Sequence, residues 1–296
     1  MRTRSRGDIV FAGFVYVFLL LVFIATFYPF WNILVLSVNS ADDTIRGGIY
    51  FWPREFSFTS YTQILSDQEI LNGVKVTLAR TLIGTPLAVL VISLLSYPLS
   101  KRDLVGGKFI TLFFIFTMYF GGGLIPYYMI LKSLHLIDTF WVYIAPGLMN
   151  VFFMILVRTF IQQLPGELDE SAKMDGANDL QIFIKIVLPL TTPVLATIGL
   201  FTAIGHWNSW FDSYVFTYKP ELKTLQAVLV KILNQYQTSN MVSDAQQMAN
   251  SAKRLSVSSD SIRMAATIVA TLPIVIVYPF LQKYFVKGMT VGAVKS

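Results

Sequence analysis

Six long stretches without a charged side chain constrain this sequence more than any other feature. They contain no Asp, Glu, Lys or Arg and cover residues 9–41, 81–100, 109–131, 139–157, 186–211 and 264–282. A helix needs roughly 20 apolar residues to cross a bilayer, whereas a buried helix of a soluble protein rarely runs this far without a charge. The pattern predicts an all-α membrane protein with six transmembrane helices.

Composition excludes several other classes of protein. Only 14% of the residues are charged, against roughly 25% in soluble domains, which is too few to cover a water-facing surface. The chain has no Cys, so it has neither a disulfide framework nor a thiolate metal site. The net charge of +6 is not concentrated on one soluble face, and we therefore expect no nucleic-acid partner.

The basic residues predict the orientation of the chain. Three arginines lie within residues 2–6, and three basic residues lie within the short segment 101–108. Short segments rich in Lys and Arg stay on the cytoplasmic side, so we expect both termini to be cytoplasmic. The first apolar stretch is too long for the core of a signal peptide and is predicted to be a retained anchor.

These spans predict a simple organisation along the chain. The predicted regions are a cytoplasmic N-terminus (1–8), a six-helix transmembrane domain (9–286) with external loops at 39–73 and 217–263, and a cytoplasmic tail (287–296). Prolines lie in or beside most spans, and Gly121–Gly123 interrupts the third. Such breaks survive in a membrane where protein or a water-filled cavity satisfies the freed backbone groups. They fit either kinked helices in a bundle or a moving pathway.

The loop between the fourth and fifth spans, residues 161–190, is predicted to be structured. Acidic residues at its first helical turn favour a helix start, and Gly176 is a natural C-terminal stop. Asn178 and Gln181 have the spacing of a capping box that begins a second helix. Pro189 is predicted to end that second helix.

The same loop carries a motif with two fixed gaps. It reads Glu-Ser-Ala, three residues, Gly, nine residues, then Ile-x-Leu-Pro, formed by Glu170, Ser171, Ala172, Gly176, Ile186, Leu188 and Pro189. The sequence resembles the permease subunits of binding-protein-dependent ABC importers, whose cytoplasmic motif has Ala where this chain has Ser171. Serine is also small, so the close approach of a partner remains possible.

The resemblance implies a type I importer fold and a coupling role for this motif. In the family, the motif helix docks on a cytoplasmic ATPase subunit and passes its motion to the membrane helices. This chain has no GxxxxGK[ST] phosphate loop, so we expect it not to be an enzyme and to hold no cofactor of its own. ATP and Mg would be bound by two partner ATPase subunits. A second permease, an external solute-binding protein and membrane lipid are the other implied partners.

Two further segments narrow the resemblance to carbohydrate importers. Residues Phe51–Tyr61 resemble an external segment of these permeases, and Gly288–Lys295 resembles the C-terminus of the second permease of maltose-type systems. The branch it resembles handles complex oligosaccharides, some of them uronates such as alginate. The expected function is half of the pathway that imports a carbohydrate across a bacterial cytoplasmic membrane.

Polar and aromatic residues near the outer end of the predicted fifth span are candidates for the substrate pathway. They are Trp207, Asn208, Trp210 and Asp212. Aromatic rings cover sugar faces and polar groups select hydroxyls, but Trp also collects at membrane interfaces without any ligand. Arg80 is predicted either to extend its side chain toward the outer surface or to meet an anionic substrate.

Rival functions remain open at this point. The coupling motif is shared across importers, so a solute other than sugar is possible. A secondary transporter would usually show inverted repeats and a mid-membrane carboxylate, and a membrane enzyme would need a convergent catalytic or metal cluster. The sequence shows no clear repeat and only two His, neither beside paired carboxylates. In the long loop 217–263, an apolar stripe from Leu222 to Tyr236 predicts an amphipathic helix. The polar stretch 235–251 that follows fits a disordered connector or a surface for the binding protein.

Overall fold

The computed structural model describes residues 6–242 and 261–276. Within these residues the chain is almost entirely helical, and β-geometry is limited to an isolated bridge between Asn39 and Phe56. The predicted all-α class is confirmed. The predicted tail, residues 287–296, lies outside the described residues.

The helices are numbered here in chain order. Their bounds are α1 (Arg6–Ser37), α2 (Ala41–Ile45), α3 (Thr59–Ser66), α4 (Gln68–Ser100), α5 (Gly107–Tyr119), α6 (Leu124–Ser133), α7 (Val151–Ile161), α8 (Glu167–Met174), α9 (Asp179–Ile182), α10 (Leu188–Asn208), α11 (Phe211–Phe216), α12 (Leu225–Val242) and α13 (Ser261–Ile276). Short 3-10 turns occur at Phe140–Tyr143, Ala145–Gly147 and Pro220–Leu222, and a π-helical turn occurs at Phe183–Val187.

The chain divides into two units. The first comprises the described residues up to 68 together with 231–242 and 261–272, and the second comprises residues 69–230 with 273–276.

Length and composition single out the helices that could span a membrane. Among the described residues, α1, α4 and the continuous helix Asp179–Asn208 are each long and apolar enough. Two bent pairs also qualify if each forms one span: α5 with α6, and Phe140–Gly147 with α7. The sixth predicted segment extends past residue 276, and only its first part, within α13, is described. The described residues thus hold up to five of the six predicted spans.

The third predicted span is broken where the glycines were expected to break it. Helices α5 and α6 meet at an angle of 118°. Gly123 turns the chain with a φ of +84°, a conformation that glycine adopts without steric cost. The predicted interruption at Gly121–Gly123 is therefore confirmed.

Helix α4 begins well before the predicted second span, at Gln68 and not at residue 81. The charge-free criterion missed its first turns because they carry Glu69, Lys75 and Arg80. One face of α4 is buried along most of its length, at positions three or four apart: Gly73, Thr77, Arg80, Gly84, Ala88, Ile92 and Ser96. This helical spacing makes α4 the central packing element of the second unit.

The core of the second unit joins α4 to α7 and α10. Ile92, Met154, Val157 and Ile198 have no measurable exposure and belong to one apolar cluster. The hydroxyl of buried Ser96 lies 3.0 Å from the carbonyl of Met154. Helices in a membrane associate through close packing and through interhelical hydrogen bonds such as this one. The hydrophobic effect contributes little to their association, because lipid tails are as apolar as the side chains.

The first unit contains the predicted external loop at 39–73 as far as residue 68. Buried Asn39 accepts hydrogen bonds from the backbone amides of Arg54 and Glu55 and donates to the carboxylate of Asp43. Arg54 completes the network with an ion pair to Asp43 at 3.1 Å. The first part of this predicted loop is therefore held by specific hydrogen bonds.

Candidate functional site

Residues 161–190, called here the motif loop, contain the short helix α8, which a glycine turn joins to the start of a second helix. Helix α8 ends with the amide of Gly176 donating to the carbonyl of Lys173 and the amide of Ala177 donating to the carbonyl of Ala172. This pair of bonds is a Schellman motif, which requires a left-handed residue at the position of Gly176. Its φ is +80°, and the predicted stop at Gly176 is confirmed.

The second helix of the motif loop begins with a reciprocal cap. The side chain of Asn178 accepts from the amide of Gln181 at 2.9 Å, and the side chain of Gln181 accepts from the amide of Asn178 at 3.0 Å. These are the two bonds of a capping box. The predicted helix start is confirmed.

The predicted end of that helix at Pro189 is wrong. The helix runs without interruption from Asp179 to Asn208, and Pro189 lies in the first turn of α10. The five residues Phe183–Val187 form a π-helical turn just before it. This wider turn changes the hydrogen-bond register just before the proline, which has no amide to donate, and the helix continues past it.

The motif residues face in two directions. Ala172 is buried in the apolar cluster of the second unit, and Ile186 and Leu188 are partly buried against it. Glu170, Ser171 and Gly176 are exposed, as is Pro189. The motif therefore has one side anchored in its own chain and one side open to a partner.

An ion pair connects the motif loop to the end of α4. The ammonium of Lys101 lies 2.5 Å from one carboxylate oxygen of Asp169 and 4.7 Å from the centre of the Tyr97 ring. The other oxygen of Asp169 lies 3.2 Å from Lys173, one turn further along α8. Partial burial raises the pKa of Asp169, but hydrogen bonds from Lys101 and Lys173 outweigh it and lower that pKa. Burial lowers the pKa of Lys101, and its contacts with Asp169 and Tyr97 reverse that effect and raise it.

Two more side chains hold the same end of α4. Arg158 donates to the carbonyl of Leu99 at 2.7 Å, and Gln162 donates to the carbonyl of Ser100 at 3.3 Å. Carbonyls in the last turn of a helix have no partner within the helix. These contacts satisfy two of them and fix the end of α4 against the end of α7.

A second polar cluster lies at the opposite part of α4. The guanidinium of Arg80 is 2% exposed, lies 3.2 Å from the carboxylate of Asp212 and stacks 4.7 Å from the centre of the Tyr143 ring. Ser209 donates to the same carboxylate at 3.0 Å. The prediction that Arg80 extends toward the surface is wrong, because its side chain is buried and pairs with the partly exposed carboxylate of Asp212.

The segment that carries Asp212 is seated on the buried face of α4. The amide of Leu225 donates to the hydroxyl of Thr77 at 2.9 Å, and the backbone of Leu225 packs directly on Gly73. His206 packs on Gly84 so closely that a Cβ there would lie 2.6 Å from its ring. Small residues on α4 therefore permit residues 206–225 to approach its backbone.

The remaining candidates for the substrate pathway do not form one site. Trp207 is buried, whereas Asn208 and Trp210 are exposed. Asp212 is partly exposed and already paired. The structure adds Tyr214, which is exposed and meets the Trp210 ring edge-on, with ring centres 6.0 Å apart.

A family model matches most of the chain. It is described as the inner membrane component of binding-protein-dependent transport systems and covers residues 65–291. This range includes both clusters described above. The chain is a member of this family.

Full-length relatives of this permease occur among characterised proteins. The polygalacturonan/rhamnogalacturonan transport system permease protein YtcP of Bacillus subtilis is 36% identical over 97% of this chain and 99% of its own length. Protein LplC of the same organism is 37% identical over 92% of this chain and 90% of its own length. The crystal structure of a bacterial ABC transporter that imports the acidic polysaccharide alginate contains a chain with 30% identity and a TM-score of 0.86. That match covers 96% of this permease and 100% of the solved chain, so the type I importer permease fold is confirmed.

Sequence reasoning missed several residues of both clusters in this permease. Lys101 was read only as a sign of orientation, and Asp169 only as a charge favourable to a helix start. Tyr143 and His206 gave no signal, because their roles depend on contacts between distant segments. The spacing of small residues at Gly73 and Gly84 is the one local signal that a close helix contact was present.

Proposed function

We propose that this chain is one of two permease subunits in an ATP-driven importer of oligosaccharides. The observation that carries the proposal is its similarity, over nearly the whole length, to a permease whose name specifies polygalacturonan and rhamnogalacturonan transport. The similar chain from an alginate importer supports the same class of substrate. Both relatives are named for polysaccharides, and the polysaccharide of the second, alginate, is acidic.

The proposed substrate is an acidic oligosaccharide. Arg80 does not present a free positive charge to it, because Asp212 is paired with that guanidinium. Candidates for contact with sugar are instead the exposed ring faces of Trp210 and Tyr214 together with the exposed amide of Asn208. Aromatic rings pack on the apolar faces of sugars, and amides bind hydroxyls.

The proposed energy coupling takes place at the motif loop. Its exposed residues Glu170, Ser171 and Gly176 would meet one of two ATPase subunits, which bind ATP and Mg. Supporting this, the loop is pinned by the Schellman motif and the capping box, so its open side keeps a fixed shape. The loop and both termini would then lie in the cytoplasm, and a binding protein would deliver substrate from outside.

The experiment that tests this function uses the assembled complex. This permease is co-expressed with a second permease subunit and an ATPase subunit, reconstituted in nanodiscs and mixed with the purified binding protein. We expect oligogalacturonate-loaded binding protein to stimulate ATP hydrolysis, and unloaded protein or protein offered neutral maltodextrin to stimulate it much less. Equal stimulation by a non-sugar solute would contradict the proposed substrate class.

A further inference from the structure

The ion pair between the motif loop and α4 joins the loop to a helix that is long and apolar enough to span a membrane. Helix α8 places Asp169, Ala172 and Lys173 on one side, by the helical spacing of three and four residues. Ala172 is buried in the same apolar cluster as Tyr97, and Asp169 reaches Lys101 just beyond the last residue of α4. The inward side of α8 therefore places one side chain in the apolar cluster that it shares with α4 and makes one ion pair with the residue that follows α4.

The outward side of the same helix is free of such contacts. Glu170 and Met174 are exposed and make no ion pair or hydrogen bond through their side chains within the described residues. A groove of about 470 Å³ opens beside the ion pair, bordered by Lys101, Asp169 and Glu170. A partner that pushes on the outward side would move α8 together with the start of the next helix, because the Schellman motif at Gly176 and the capping box at Asn178 fix the turn that joins them.

The far side of the ion pair is equally well fixed. The Tyr97 ring lies under the Lys101 ammonium and packs on Phe183, with ring centres 5.2 Å apart. Arg158 holds the carbonyl of Leu99 at 2.7 Å. The helix end that the ion pair reaches is thus held by the Tyr97–Phe183 ring contact and by Arg158, and α4 extends about 50 Å from there.

We propose that Lys101 and Asp169 are positioning residues through which movement of α8 is passed to α4. The inference rests on the proposed coupling function of the motif loop and adds the internal contact that function requires. The two side chains are 23% and 28% exposed, so the pair is partly screened and adds little to stability. Its role is to keep α8 in a fixed position relative to the end of α4 while the transporter changes conformation.

A double-mutant cycle on the reconstituted complex tests the proposal, with ATP hydrolysed per sugar imported as the readout. We expect Lys101→Met and Asp169→Asn each to raise this ratio about 3- to 10-fold, and the double variant to be no worse than the poorer single variant. Lys101→Arg should stay near the wild-type ratio. Arg102→Met is the matched control, because Arg102 is the exposed neighbour, and it should leave the ratio unchanged.

The proposal would be overturned if the effects of the two single variants were additive, or if neither single variant changed the ratio. It would also be overturned if Arg102→Met raised the ratio equally. Failure of the proposed function looks different, because the wild-type complex would then show no ATP-dependent import at all.

A covalent replacement of the ion pair provides a second, independent measurement. The chain contains no Cys, so Lys101→Cys combined with Asp169→Cys creates the chain's two thiols. We expect the double variant to be poorly coupled, and a short bis-thiosulfonate linker between the thiols to restore coupling until it is reduced. Wild-type complex treated with the same linker is the control. A linked complex that stays as poorly coupled as the unlinked one would overturn the proposal.

Discussion

Arg80 and Asp212 form an ion pair at 3.2 Å although 132 positions separate them in the sequence. The pair connects the buried face of α4 to the first turn of α11. A charged side chain within a membrane span is costly unless it is paired or reaches water, and Arg80 is 2% exposed. Asp212 is therefore the partner that permits Arg80 to remain inside the bundle.

Removing the carboxylate should destabilise the protein more than removing the whole pair. Asp212→Asn leaves the buried cation without its counter-charge, at a cost of about 1–3 kcal/mol. The double variant with Arg80→Met should recover part of this loss, because an apolar side chain replaces the unpaired charge. Thermal unfolding of the purified complex measures both effects. Glu221→Gln, the same chemical change at an exposed site, is the control and should have almost no effect.

Gly84 should not tolerate a methyl group, whereas Gly205 should. A Cβ at Gly84 would lie 2.6 Å from the buried His206 ring, and a Cβ at Gly205 would have nothing within 4 Å. Gly84→Ala is expected to cost about 1–3 kcal/mol through overpacking. Gly205→Ala should be neutral or stabilise by up to about 1 kcal/mol, since alanine favours helices. Equal melting temperatures for the two variants would show that the 206–225 segment is not seated on α4 as described.

Gly176 should be sensitive to backbone strain more than to size. Its φ of +80° is unfavourable for residues with a Cβ although nothing lies within 4 Å of that position. Gly176→Ala should therefore cost about 1–2 kcal/mol, and Gly176→Asn should cost less because Asn adopts left-handed angles more easily. Gly166→Ala, at a φ of −62° in open space, is the comparison in the same loop. Thermal unfolding and transport per ATP are measured together, and a milder effect of Ala than of Asn would contradict the Schellman geometry.

The Lys101–Asp169 pair should persist through the physiological range of pH. The pKa of Asp169 is lowered, so its contribution is present above the ordinary Asp pKa and is lost as pH falls through the lowered value. The pKa of Lys101 is raised, so its contribution is present below the ordinary Lys pKa and is lost as pH rises through the raised value. The difference in transport per ATP between wild type and Lys101→Met should thus be constant from about pH 6 to about pH 9. A difference that disappears within that interval would mean that another titrating group controls the effect.

The sequence predicted the local features of the molecule well, because each depends on neighbouring residues. The glycine stop at Gly176 and the cap at Asn178 and Gln181 are set by backbone geometry within a few positions. The break at Gly121–Gly123 is equally local. The charge-free stretches located the spans but shortened α4, because a membrane helix accepts charges at its end and on a buried, paired face.

What the sequence did not predict depends on contacts between distant segments. Arg80 has no acidic residue near it in the sequence of its span, and its partner Asp212 approaches it only in the folded structure. The sequence predicts a helix end at Pro189, because the π-helical turn that accommodates this proline has no simple sequence signature. The partner of Lys101 could not be chosen from several nearby acidic residues without the path of the motif loop.

Uptake by proteoliposomes tests the central claim most directly. The complex containing this permease is reconstituted with ATP inside or outside the vesicles, and a labelled acidic oligosaccharide is supplied with the binding protein on the opposite side. The account predicts that the sugar accumulates only when ATP lies on the ATPase side and the binding protein is present, and that Gly176→Val abolishes accumulation. Uptake that needs neither ATP nor binding protein and instead follows an imposed proton or sodium gradient would contradict it.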